Sequence, residues 1–278
     1  MITTSKPPFP TTTAHAIRLC LFQPTRRPVM LKGERVDTPW GEVKIWGRIG
    51  QQHADVLEAI CFEREKRGDL EDGRIKLLVD PARVRRKARQ TSGSTFATVL
   101  KELEQVVIEI VQPAKFACSG HLIDHIDKAM SSDGTPITRH DPLTGGKRNL
   151  WRVELGKAFC KLVAGDIWIG YDPASIATLQ HGVSQAIARH VLSHKTMPRG
   201  GWKLDALIRT ISGDLSDQRR KDRRRDVRAD VDALAQIGIR IEAERVLVEH
   251  KPDTVEQKPD KVEHKPDGWS ISPVLADT

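Results

Sequence analysis

The chain has 278 residues and a formal net charge of +8, with a pI near 9.4. This length allows one large domain or two smaller ones with real cores, at roughly 100 to 200 residues per domain. The charge favours a polyanion as partner, and nucleic acid is expected over membrane, because the sequence has neither an apolar run of about 18 residues nor a signal-peptide core. A soluble, intracellular protein is therefore expected. Cys20, Cys61, Cys118 and Cys160 are widely spaced with no C-x-x-C pair, which argues against a disulfide framework or a four-cysteine zinc site. Cys61 and Cys160 sit in apolar runs and read as core residues.

In chain order, residues 1–14 are rich in Thr and Pro and read as a mobile lead-in, part of an N-terminal arm over residues 1–34. A turn at Asp37 to Gly41 precedes a strand from Trp40 to Ile49. Val56, Leu57, Ile60 and Cys61 then fall at helical spacing, in a run that stops near Gly68. Asp72 and Gly73 lead into a short strand, Ile75 to Val79, and Asp80 before Pro81 caps a short helix, "DPARVRRKAR". A second helix carries Val99, Leu100, Leu103 and Val106 on one face and gives way to the β-rich "VVIEIV". This order, helices followed by strands that form a wing, defines a first domain over residues 35–150.

A turn-rich loop from Ser131 to Arg148 and the connecting stretch "LWRVELGKAFCKLVAGDIWIGYDP" lead to a second copy of the pattern, over residues 151–249. Val183, Ala186, Ile187 and Val191 mark one helix. Leu207, Ile208 and Ile211 mark a shorter one, capped by Asp205 and stopped at Gly213. The third is "SDQRRKDRRRDVRADVDALAQIG", with Val227, Val231, Leu234 and Ala235 on its buried stripe and Gly238 as its C-terminal cap. "IRIEAERVLVE" then alternates as a hairpin. The layout predicts an α+β protein of two tandem winged helix-turn-helix domains. Residues 250–278 hold a Lys-Pro-Asp repeat whose units begin at Val248, Val255 and Val262; Pro and a single apolar residue per unit predict an extended, disordered tail.

The third helix of the second domain places its cations at the end where the helix dipole is already positive, which is unfavourable in isolation. With Val227, Val231 and Leu234 facing the core, Gln218, Lys221, Arg225 and Arg228 come out on the opposite side, while Arg219, Arg220, Arg223 and Arg224 flank the stripe. Phosphates in a DNA groove favour both the side chains and the amide end of such a helix, and Arg, Lys and Gln are the residue types that read guanine and adenine edges. The same charges also fit a solvated helix face laced by Asp222, Asp226 and Asp230. In the first domain Arg83, Arg85, Arg86, Lys87 and Arg89 have no acidic neighbour after Asp80 and are expected to grip phosphates or pack against a partner, with sequence reading left to the second domain.

The tract from Gly182 to Ile241, and in particular the spacing V-R-x-x-V-x-x-L-x-x-I-G from Val227 to Gly238, resembles the C-terminal winged helix of plasmid replication initiators of the TrfA and RepC type. "AGDIW" from Ala164 to Trp168 and the early "IRLCLFQPTRR" are similar to segments of the same family. The resemblance implies a bacterial, cytoplasmic protein that binds direct repeats (iterons) in the double-stranded DNA of a plasmid origin. It also implies origin opening, recruitment of the host replicative helicase and initiator machinery, and a monomer–dimer equilibrium through the first domain. Arg219 to Arg228 carry over as DNA contacts. The Lys-Pro-Asp tail has no counterpart in this resemblance.

Cys118, His121 and His125 have spacings that suit zinc but lack an evident further ligand. His190 and His194 share one helix and fit a helix face or core positions. Tyr171 is the only tyrosine and no His-hydrophobic-His motif accompanies it, which disfavours a rolling-circle nickase. "TGGKRN" at Thr144 lacks the upstream Gly of a phosphate loop and has Arg148 where Ser or Thr would bind magnesium. No cofactor, no metal and no catalysed reaction are therefore expected. Leu19 to Phe22 resemble the end of a sliding-clamp docking peptide, although the segment also suits packing on the first domain. The alternatives are a winged-helix transcriptional regulator that binds a promoter operator and, from the enzyme class, a zinc-dependent nuclease using His121 and His125.

Overall fold

The computed structural model describes residues 10–112, 116–141, 144–164 and 168–249. The first residues of the lead-in, the middle of "AGDIW" and the tail over residues 250–278 lie outside the described residues.

The described part of the expected arm is folded in. Thr12–Thr13 (β1) pairs with a strand far along the chain, and Ala14–Arg18 (α1) follows, capped by the Thr13 side chain, which accepts the Ala16 N–H. Thr11 to Ala16, Leu19 and Leu21 are buried. Met30–Thr38 (β2) and Gly41–Arg48 (β3) then form a hairpin, and the alternation within β3 buries Val43 and Ile45. Gln51–Phe62 (α2) is followed by a second hairpin, Arg64–Asp69 (β4) and Ile75–Val79 (β5), turning at Asp72 and Gly73. Pro81–Lys87 (α3) starts where Asp80 accepts the Ala82 N–H, and Gly93–Gln105 (α4) buries Phe96, Val99, Leu100 and Leu103. The unit continues through Val107–Gln112 (β6), Phe116–His121 (β7), Ile123–Lys128 (β8), Thr138–His140 (β9), Lys147–Asn149 (β10), Trp151–Leu155 (β11) and Lys157–Ala164 (α5). Trp168–Ile169 (β12) pairs with β1.

Two antiparallel four-stranded sheets result, in the orders β2-β3-β6-β7 and β4-β5-β11-β8. Both feed one buried cluster that runs from Ala16 to Val163 and takes its helical share from α2, α4 and α5. The expected helices and the strand run after them are present as α2, α3, α4 and β6; β7 and β8 lie beyond that run, and β2, β4 and the β9–β10 hairpin were not anticipated. Their sequences, such as "REKRGD" and "KRN", are largely polar, so they are held by the backbone ladder and give no apolar period to read.

The second unit comprises Pro173–Ala177 (α6), Gly182–Leu192 (α7), Trp202–Lys203 (β13), Leu204–Ser212 (α8), Asp217–Ala229 (α9), Val231–Gln236 (α10), Ile239–Glu242 (β14) and Arg245–Val248 (β15). The three strands pair in the order β13-β15-β14. Its core joins Ala14 and Ile169 to residues as far as Val246. The cores therefore divide between Val163 and Ile169 rather than at 150/151, because β11 and α5 complete the first unit. Two local expectations are corrected. The cap of α8 is Lys203 and not Asp205, which lies in the first turn. The long third helix breaks at Asp230, so Val231 and Leu234 belong to α10 and Ala235 is exposed.

The two cores meet at a polar seam. Arg189 of α7, 3% exposed, donates from Nε to Glu58 Oε1 at 2.9 Å, from Nη2 to Glu58 Oε2 at 2.8 Å and Asp55 Oδ1 at 2.7 Å, and from Nη1 to Gln51 Oε1 at 2.7 Å. The Tyr171 hydroxyl donates to Glu58 at 2.6 Å and the Gln185 amide to Asp55 at 3.3 Å. Burial raises the pKa of Asp55 and of Glu58, and Arg189 opposes that rise. Beside the seam Gly182 opens α7 against the Thr25 backbone, where a Cβ would meet Thr25 Cα at 2.4 Å.

Candidate nucleic-acid interface

Helix α9 begins at Ser216, whose hydroxyl accepts the Arg219 N–H, and it packs on α7 and α8 through Val227, which is fully buried. Gln218, Arg219, Lys221, Arg225 and Arg228 are exposed, while Arg220, Arg223 and Arg224 are half-buried. The outward set read from the 100° step thus faces solvent together. Asp217 occupies the first turn, where a carboxylate complements the helix dipole.

Neighbours divide these cations into two groups. Arg224 makes a two-pronged contact with Asp205 of α8, which raises the Arg224 pKa and holds the Asp205 carboxyl below its usual range. Arg228 pairs with Glu244 in the β14–β15 turn, and Arg220 and Arg225 make loose contacts of 3.6 Å with Asp217 and Asp222. Arg219, Lys221 and Arg223 have no ion-pair partner among the described residues. The lacing anticipated from Asp222 and Asp226 is therefore partial, and Asp230 turns away to His181. Asp205 and Glu244 were not foreseen as partners. They sit 19 and 16 residues from the arginines they meet, beyond any i, i+4 rule.

The β14–β15 tip is unusual. Ala243 and Glu244 take φ of 44° and 62°, a turn conformation that normally selects Asn and Gly. The Glu244 carbonyl accepts the Leu204 N–H at 2.9 Å, tying this turn to the start of α8. Glu242 and Glu244 make the tip acidic, with Arg240 and Arg245 on its flanks.

The basic run of α3 is less free than its sequence implies. Arg83 pairs with Glu63 and Glu65, and Lys87 lies near Glu63 and Asp172, all supplied by other elements. The absence of acidic neighbours in sequence does not carry into space. Arg85, Arg86 and Arg89 are exposed and have no ion pair among the described residues.

The remaining candidates are dispersed. Cys118 and His121 lie on β7 and His125 on β8, where His121 Nδ1 faces the Val106 carbonyl and His125 faces Asp127. Among the described residues no group of three or more His, Cys, Asp or Glu could hold a metal ion. "TGGKRN" forms a hairpin turn and β10, with Arg148 bound to Asp80 and Asp141. Leu19 and Leu21 are buried in the first core with Phe22 packed against it, which is the packing on the first domain that the sequence suits. Cys61 and Cys160 are buried free thiols whose pKa burial pushes up. Among the described residues no helix is long and apolar enough to cross a membrane.

No protein-family profile and no curated protein matches this chain. Among solved structures, the crystal structure of RctB domains 2-3 is similar over 81% of this chain and 83% of that one, with 11% sequence identity and a TM-score of 0.48. A likeness that remote carries no argument for fold or function.

Proposed function

We propose that the chain is a DNA-binding replication initiator that engages repeated sites in an origin and catalyses no reaction itself. In this reading α7, α8, α9 and the β14–β15 hairpin act as a winged helix-turn-helix, with α9 entering the major groove. The observation that carries it is the shared outward face of Gln218, Lys221, Arg225 and Arg228, opposite a fully buried Val227. The choice of an initiator among DNA-binding proteins rests on the sequence resemblance described above. The exposed arginines of α3 supply backbone contacts, and helicase recruitment and a monomer–dimer equilibrium belong to the same reading.

The test is recovery of bound fragments from plasmid and random DNA, followed by footprinting. Protection of several direct repeats supports an initiator, whereas a single palindrome near a promoter supports a transcriptional regulator. Lys221→Ala with Arg225→Ala is expected to abolish selective binding and leave the thermal midpoint unchanged, each good base contact being worth about 1–3 kcal/mol. Unchanged selectivity at physiological salt would remove α9 from the interface.

A further inference from the structure

We infer that the cleft between α3 and the β9–β10 hairpin is a phosphate-binding site. The cavity there has a volume of about 550 Å³, and its cationic lining is Arg83, Arg86, Lys87, Arg89, Arg139 and Arg148. Nothing in the reading of α9 uses this cleft, and its hairpin arginines stand over 50 residues from α3 in sequence.

The distribution of charge in depth gives the cleft its sign. Of the carboxylates that pair with these cations Glu63 alone is in the lining among the described residues, and the side chains of Glu63 and Asp80 are 6% and 0% exposed, against 31%, 40% and 24% for Arg83, Arg139 and Arg148; Glu65 and Asp172 are more open, at 22% and 47%. Glu65 is held between Arg83 and Arg139, Asp80 and Asp141 orient Arg148, and Glu63 and Asp172 orient Lys87. Such contacts fix the guanidinium planes, while Arg86 and Arg89 have no ion pair among the described residues and remain available. An anion that enters from solvent meets Arg86 and Arg89, which are exposed and which no carboxylate among the described residues neutralises. Planar, pre-oriented guanidinium groups suit the bidentate geometry of phosphate. Among the described residues Ala174 is the sole apolar residue of the lining and no aromatic ring is part of it, which suits a phosphate rather than a base.

The phosphate has two possible sources, the backbone of a DNA duplex or a free oligophosphate, and only the first rests on the proposed function. The full chain, Arg86→Gln/Arg89→Gln, Arg139→Gln and Lys221→Ala/Arg225→Ala are compared by calorimetry with inorganic tripolyphosphate, and by the salt dependence of binding to a random duplex. The Arg86/Arg89 pair is exposed and free of ion pairs among the described residues, so its replacement breaks no ion pair. A free source gives one tripolyphosphate per chain, at least tenfold weaker in both cleft variants and unchanged in the α9 variant. A backbone source gives no tripolyphosphate binding but a duplex salt slope smaller by about two in Arg86→Gln/Arg89→Gln. The inference is overturned if tripolyphosphate fails to bind and that slope does not change, or if the cleft variants bind tripolyphosphate as the parent does. Tripolyphosphate binding by a chain that ignores DNA would retain the cleft and refute the proposed function.

Discussion

His190 is a titratable residue held neutral inside a basic protein. It is buried on α7, edge-on to Trp40 at a centroid distance of 6.3 Å, and its Nδ1 has no hydrogen-bond partner among the described residues. Burial, followed by the charges of His194 and Arg18, pushes its pKa down to about 3 from an ordinary value of 6.5. Between those values the unfolded chain binds a proton that the folded chain refuses, so this contribution to stability is complete above pH 6.5 and is lost as pH falls towards 3. The unfolding free energy of the parent in urea is expected to fall with acid more steeply than that of His190→Leu, by up to about 1.4 kcal/mol per pH unit. Equal slopes would mean that the imidazole is hydrated. From sequence the His190/His194 pair offered a metal, a helix face or the core; the ring contact with Trp40, from the distant β2–β3 turn, selects the core.

At the scale of elements, the end of α9 is set by a residue outside its own periodicity. Asp230 is 2% exposed and accepts the N–H groups of Gln180 at 3.1 Å and His181 at 2.9 Å, at the start of α7. Its removal leaves two part-buried N–H groups without their acceptor. Asp230→Ala is expected to cost about 2–3 kcal/mol in denaturant unfolding, and a loss under 1 kcal/mol would show that water replaces the carboxylate. The turn after β14 gives the opposite sign: Ala243→Asn places a residue tolerant of positive φ there and is expected to stabilise by about 0.5–1 kcal/mol. The cap at Asp80, the α4 stripe and the outward side of α9 were legible because each depends on neighbours within a few residues. The strands β2 and β4 were not, since their partners lie across a hairpin and their side chains are mostly polar or half-exposed.

Across the whole molecule, Arg189 bolts one core to the other. Its guanidinium satisfies Asp55 and Glu58 of α2 from a position on α7, and the three charges are out of contact with water. Loss of one partner strands the others, so Arg189→Ala is expected to destabilise by about 3–5 kcal/mol. Because the residues belong to separate clusters, its unfolding is expected to split into two transitions, whereas one cooperative transition would show that the remaining seam suffices. The sequence alone determined the basic character, the helix order of the second unit and the residues on the exposed side of α9, because charge and a 3.6-residue period are properties of short stretches. Tertiary structure alone decided where the cores divide, which carboxylates approach Arg83, Arg224 and Arg228, and that α3 faces a hairpin across a cleft. Those outcomes depend on which distant surfaces are brought within a few ångströms, and a local pattern carries no record of that.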